Sequence, residues 1–210
     1  MAVSTSQTGL EQSSGSRSAA GRSRVATRER LLASGLALFA KKGLRGVTTH
    51  DIAHQAGVAA GTFYLHFPDK QAMFRELALE AVASLRERLA VSTRTARDVP
   101  SGVRAHAEAL IGFSEENREV VRILFSSDAD AAAVESVVLD TLAGGIAARR
   151  RERIASGEVP PDVDPDVLSQ AIVGMLARVV AWWVEDPHRA PREAVIETLT
   201  RIQLSGTYPG

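Results

Sequence analysis

The sequence predicts an all-α protein, and three observations carry that prediction. Apolar residues recur at helical spacing along most of the chain. No stretch sustains the period-two alternation of a half-buried strand. Breakers fall between the periodic segments, at Pro68, Pro100, the Gly157–Pro161 stretch, Pro187 and Pro191.

The elements follow in order. Residues 1–24 are mainly Ser, Thr, Gly, Ala, Gln and Arg, with little to bury, so a disordered tail is expected there. Its arginines at 17, 22 and 24 suit either a solvated tail or an arm that touches a polyanion. Thr27 reads as the N-cap of the first helix, with Glu29 in its first turn. Leu32, Leu36, Phe39 and Ala40 give its apolar stripe, and Gly43 after Lys41 and Lys42 marks its end. Further helices are predicted at about 49–56, 60–66, 70–93, 101–116, 118–126, 131–155, 165–185 and 191–204.

Composition narrows the class. The 210 residues carry 25 basic and 25 acidic side chains, but not evenly. Residues 1–70 have a net charge of +5 and residues 71–210 one of −5, so a polyanion partner is expected at one end only. There is no cysteine, which excludes disulfides, thiolate zinc sites and cysteine nucleophiles. No apolar signal region is visible near the N-terminus. Residues 167–184 are strongly apolar, but Ser169, Gln170 and Arg178 interrupt them and acidic residues flank them. A buried helix of a cytoplasmic protein, with no membrane span, is the expectation.

The specific signal lies between Thr48 and Lys70: T-T-H-D-I-A-H-Q-A-G-V-A-A-G-T-F-Y-L-H-F-P-D-K. Thr48 and Asp51 have capping-box spacing. Ile52, Ala53 and Ala56 form the stripe of a short helix, and Gly57 can take the left-handed conformation that ends it. A second short helix follows, with Phe63 and Phe67 inward. Two helices crossing near a right angle need a small residue at the crossing, Ala53. They need a glycine at the turn, Gly57, and an apolar anchor beyond it, Phe63. That spacing describes a helix-turn-helix, whose second helix enters the major groove of DNA.

Here a family resemblance becomes specific. Residues 27–75 resemble the DNA-binding domain of TetR/AcrR-family transcriptional regulators. The matching elements are L-F-A-K-K-G, T-T-H-D-I-A, A-G-V-A-A-G-T-F-Y-L-H-F and P-D-K. The resemblance implies an N-terminal three-helix head over 25–70 and a helical effector-binding and dimerisation body over 71–210. It implies that Thr48 and Thr49, Tyr64 and Lys70 lie at the DNA, with phosphate contacts from Thr49, Tyr64 and Lys70. It also turns His50, Ala60, Gly61, Thr62 and His66 toward the groove, although Tyr64 and His66 could instead pack. Two departures stand out. The recognition helix opens with Ala59 where a serine cap is usual, and 60–66 contain no Arg, Lys, Asn or Gln. Bidentate base readout is therefore not available there, and positioning and DNA shape are expected to carry more of the specificity.

For the body, the resemblance implies a homodimer through the helices near 165–185 and 191–204, and two heads on a palindromic operator in double-stranded DNA. It also implies a small, largely apolar effector whose binding releases the operator. Candidate effector contacts are His106, Phe113, Arg122, Phe125, Met175, Arg178 and Trp182. Arg178, alone in an apolar helix, must pair, reach solvent or meet an anionic ligand. Gly144-Gly145 suits ligand space, close packing or a bend. The Arg149–Arg153 run reads as a solvated helix face. No cofactor, metal site or catalytic group is expected, because no hydrolase, zinc, phosphate-loop or dinucleotide motif is present. The other reading is a helical adaptor that keeps the fold without sequence-specific DNA binding.

Overall fold

The computed structural model describes residues 11–205, and side chains throughout that span except at 11–20 and 93–95. It is all-α. The helices are α1 (Glu11–Lys42), α2 (Thr49–Gln55), α3 (Ala60–Tyr64), α4 (Lys70–Thr95), α5 (Val99–Glu116), α6 (Arg118–Leu124), α7 (Ala129–Ala155), α8 (Pro165–Glu185) and α9 (Arg192–Ser205). A one-turn 3-10 helix, Pro187–Arg189, joins the last two.

The starts of α1, α5 and α7 fall before the sequence expectation, those of α5 and α7 by two residues. The helix α1 begins at Glu11, so Thr27 is not its N-cap and residues 11–24 are helical where a disordered tail is expected; residues 1–10 lie outside the described residues. No proline interrupts 11–26, but Gly15, Gly21 and five serines there are poor helix formers, so the extension draws on the Ala, Arg, Gln and Glu among them and on the packed turns of 31–42 that nucleate it. The helix α5 begins at Val99 and takes Pro100 into its first turn, where a missing N–H is no loss. Aspartates cap the body helices: Asp69, Asp98, Asp128 and Asp164 each accept a backbone N–H at the start of α4, α5, α7 and α8.

Two apolar cores hold the helices together. The first gathers Leu31, Phe39, Leu44, Ile52, Phe63 and Phe67 from the head with Met73, Phe74 and Val82 of α4. It then continues into Ile123 and Leu124 of α6 and into Ala131, Val134 and Val138 of α7. Packing thus crosses the expected boundary at residue 70, and the head rests on the body through one continuous cluster. The second core joins Ala107 and Ile111 of α5, Val180, Trp183 and Val184 of α8, and Val195, Ile196 and Leu199 of α9. Trp183 Nε1 donates to the Ala190 carbonyl at 3.0 Å, closing the corner between α8 and α9.

The helices α7 and α8 are long and apolar enough to cross a membrane by composition alone, but here they pack against each other. Gly144 and Gly145 lie inside an uninterrupted α7 and do not sit in tight packing. A side chain at 144 would meet nothing within 4 Å, and one at 145 would only touch the Arg86 guanidinium at 4.0 Å. The arginine run ending α7 is more than a solvated face. Arg150, Arg151 and Arg153 pair with Asp162, Asp166 and Glu158, which lie on the connection to α8 and in its first turn.

Candidate nucleic-acid interface

The site is built by α2, α3 and the first residue of α4. Thr48 starts α2 with extended backbone, and the capping box is complete. Its hydroxyl accepts from the Asp51 N–H at 3.1 Å, and the Asp51 carboxylate accepts from the Thr48 N–H at 3.0 Å. The Thr48 hydroxyl also donates to the Asp51 carboxylate at 2.7 Å, and this bond, then the one from the Thr48 N–H, holds that carboxyl below the usual carboxylate range. Gly57, at φ 66°, turns the chain, and the Val58 N–H reaches back to the Ala53 carbonyl at 3.0 Å. Ala53 is buried at the crossing. The helix-turn-helix spacing therefore folds as the sequence implies.

The recognition helix α3 is short and lacks a side-chain cap, because Ala59 has no oxygen to offer. Phe63 anchors it, fully buried, with Phe67 at 5.7 Å and the Tyr64 ring edge-on at 5.5 Å. Tyr64 does not pack inward; it is 60% exposed. Its hydroxyl hydrogen-bonds the Thr49 hydroxyl at 2.9 Å, which ties the two helices at their outer surface. His50, Ala60 and Gly61 are exposed beside this pair, and Thr62 and His66 are half-buried. A Cβ at Gly61 would meet nothing within 4 Å, so packing does not require glycine there.

Lys70 departs most from expectation. Its ammonium donates to the carbonyls of Leu44 at 2.7 Å, Val47 at 3.0 Å and Arg45 at 3.4 Å. All three donors are thus directed at the loop between α1 and α2, and the side chain ties that loop instead of standing free for a phosphate. What remains toward solvent at this position is the start of α4. Arg45 is likewise engaged: its N–H and guanidinium meet the Asp128 carboxylate at 3.0 and 3.3 Å, linking the same loop to the N-cap of α7.

Sequence reasoning also missed the order at the far end of α3. Arg24 donates to the Leu65 carbonyl at 3.3 Å. Arg28 lies over the Phe67 ring at 5.1 Å and pairs with Glu76. Burial, and then these two guanidiniums, push the His66 imidazole below its ordinary pKa.

The candidate effector residues are scattered. Phe113 is buried, while His106, Phe125 and Met175 are half-buried. Arg122, Arg178 and Trp182 are exposed, so Arg178 reaches solvent. Physically, α8 turns Val173, Val180, Trp183 and Val184 inward, which leaves 178 and 182 on the opposite side. A cleft of about 200 Å³ lies where α5 and α8 end, lined by Ser114, Glu115, Arg118, Trp183, Val184 and Pro187, and it includes none of the seven. His106 hydrogen-bonds the Leu89 backbone, and burial pushes its imidazole pKa down.

The chain matches the family described as bacterial regulatory proteins, tetR family, over residues 31–77. It is 25% identical over 179 residues to YdgC of Bacillus subtilis, an uncharacterized HTH-type transcriptional regulator, covering 81% of this chain and 90% of that one. Its fold is that of FadR from Bacillus halodurans, a fatty acid degradation regulator, with a TM-score of 0.72 at 20% identity over 87% of this chain and 97% of that one. FadR from Bacillus subtilis in complex with stearoyl-CoA gives 0.70 at 20% identity, over 86% and 99%. The helix-turn-helix head, over residues 31–77, thus belongs to the tetR family of bacterial regulatory proteins, and the helical body behind it shares the fold of such regulators.

Proposed function

We propose that this regulator is a homodimeric, one-component repressor of the cytoplasm, released from a palindromic operator by a small, largely apolar effector. The Thr49–Tyr64 hydroxyl pair carries the DNA part of the reading. In this pair one hydroxyl spends its proton on the other, so the second keeps its own O–H for a phosphate, and both can turn to the phosphate only if the bond between them opens. Thr48 and the N-terminal turn of α4 at Lys70 flank the pair. His50, Ala60, Gly61, Thr62 and His66 face the groove floor. Open space at Gly61 supports this, since a closely approaching base or backbone would account for the glycine.

The dimer face is assigned to α8 and α9. Val167, Ala171, Gly174, Arg178 and Trp182 recur at helical spacing along one exposed side of α8. Arg178 and Trp182 thus move from the effector reading to the dimer reading. His106, Phe113, Phe125 and Met175 remain the effector candidates, and Arg122 keeps only a surface role. Fatty acyl-CoA thioesters come first in an effector screen, because the Bacillus subtilis FadR structure holds one and an acyl chain suits an apolar interior.

The adaptor reading draws on the uncapped α3 and its lack of basic residues. Salt separates the two. A repressor loses about 0.9 log units of affinity per log unit of salt for each phosphate neutralised, and an adaptor shows no such slope. Anisotropy on the DNA flanking the protein's own gene, with acyl-CoA added to the complex, tests the whole reading.

A further inference from the structure

The arginines of α1 are the part of the head that this reading leaves unused. The recognition helix carries no basic residue of its own. Arg24 and Arg28, one turn apart on α1, bring two guanidiniums to its C-terminal end. They are not equivalent. Arg28 is taken up by Glu76 and by the Phe67 ring. Arg24 is exposed, pairs with no carboxylate among the described residues, and gives one N–H to the Leu65 carbonyl. A guanidinium has five N–H donors in a planar fork, so most of its donors and its whole charge face outward. Leu65 itself is 70% exposed, so the bracket sits at the surface.

Groove geometry says what that charge would meet. An α-helix with its side chains is about 10–12 Å across, and the major groove is about 12 Å wide. A cation fixed beside the last residue of a helix seated in the groove therefore stands against the sugar–phosphate wall. We propose that Arg24 is a backbone clamp of the head. One donor holds the Leu65 carbonyl and so sets the tilt of α3, and the remaining donors take a phosphate flanking the half-site. This rests on the DNA reading above and adds an element, α1, outside the helix-turn-helix.

The test uses the full chain and a duplex selected by it from a random pool, with its flanking base pairs kept. Affinity is measured by anisotropy from 50 to 300 mM salt for wild type, Arg24→Ala and Arg24→Lys. Arg24→Ala should flatten the slope of log affinity against log salt by about 1.8, that is about 0.9 for the phosphate lost by each of the two protomers, and weaken binding by at least roughly tenfold at low salt. Arg24→Lys should keep the slope, because an ammonium also neutralises a phosphate, while losing some affinity with the bracket. Trimming the flanking base pairs should flatten the wild-type slope by a similar amount and leave Arg24→Ala unchanged. An Arg24→Ala slope equal to wild type, with or without a loss of affinity, overturns the clamp. Absence of salt-dependent binding by the wild type itself would instead sink the regulator reading on which the clamp rests.

Discussion

Replacing Lys70 by Ala removes the tie between α4 and the loop that delivers α2. The magnitude follows from its three acceptors. The bonds to Leu44 and Val47 are partly buried and of good length, while the one to Arg45 is long and exposed. Breaking a bond to a charged group costs about 1.5–3 kcal/mol, and an exposed carbonyl recovers much of that from water. Two effective bonds put the loss at about 2–4 kcal/mol. For a chain of this size that lowers the melting temperature by roughly 4–16 °C. Lys70→Met keeps most of the apolar stem without the donors and should fall almost as far. Thermal melts by circular dichroism read this directly, with DNA affinity measured well below both midpoints. A variant that melts within about 2 °C of wild type yet binds DNA tenfold more weakly would refute the reasoning, because the ammonium would then be serving a phosphate.

Other outcomes follow from the same geometry. Gly61→Ala should leave the fold intact or raise its melting temperature slightly, since a helical alanine is better by about 0.5–1 kcal/mol, and should weaken DNA binding severely; unchanged affinity would remove Gly61 from the interface. Gly174→Glu should convert a dimer into a 22.4 kDa monomer in light scattering, because its Cβ meets nothing in the single chain; a persistent dimer would move the interface elsewhere. Acid should destabilise the protein. His66 and His106 both titrate below the ordinary 6.5, chiefly through burial, so the unfolded chain takes up protons first. Stability is therefore full above about pH 6.5 and is lost as pH falls through the depressed values. Melting curves between pH 5 and 8 check this, and a flat or rising midpoint on acidification would contradict it.

Much of the architecture was legible because short-range rules decide it. The spacing of Ala53, Gly57 and Phe63 leaves little choice but a helix-turn-helix, and Thr48–Asp51 formed the capping box that its interval suggests. The start of α1 was not legible, because 11–26 are rich in Ser and Gly and hold no apolar stripe, and helical continuation there depends on the packed turns that follow. The partners of long polar side chains were not legible either. Lys70 with the 44–47 carbonyls, Arg24 with Leu65 and Arg45 with Asp128 are separated by 23–83 residues, and no local pattern announces them. The inward and outward sides of α8 stayed hidden because the helix is apolar nearly all round. Only the packing of Val173, Val180 and Trp183 shows that Arg178 and Trp182 face away.

The most direct test of the account is the salt dependence of binding to a selected duplex, with the number of protomers bound measured alongside. Two protomers per duplex, and affinity falling steeply as salt rises from 50 to 200 mM, is the predicted result. Affinity independent of salt, or equal on selected and random DNA, would contradict it and leave a helical dimer whose head no longer reads DNA.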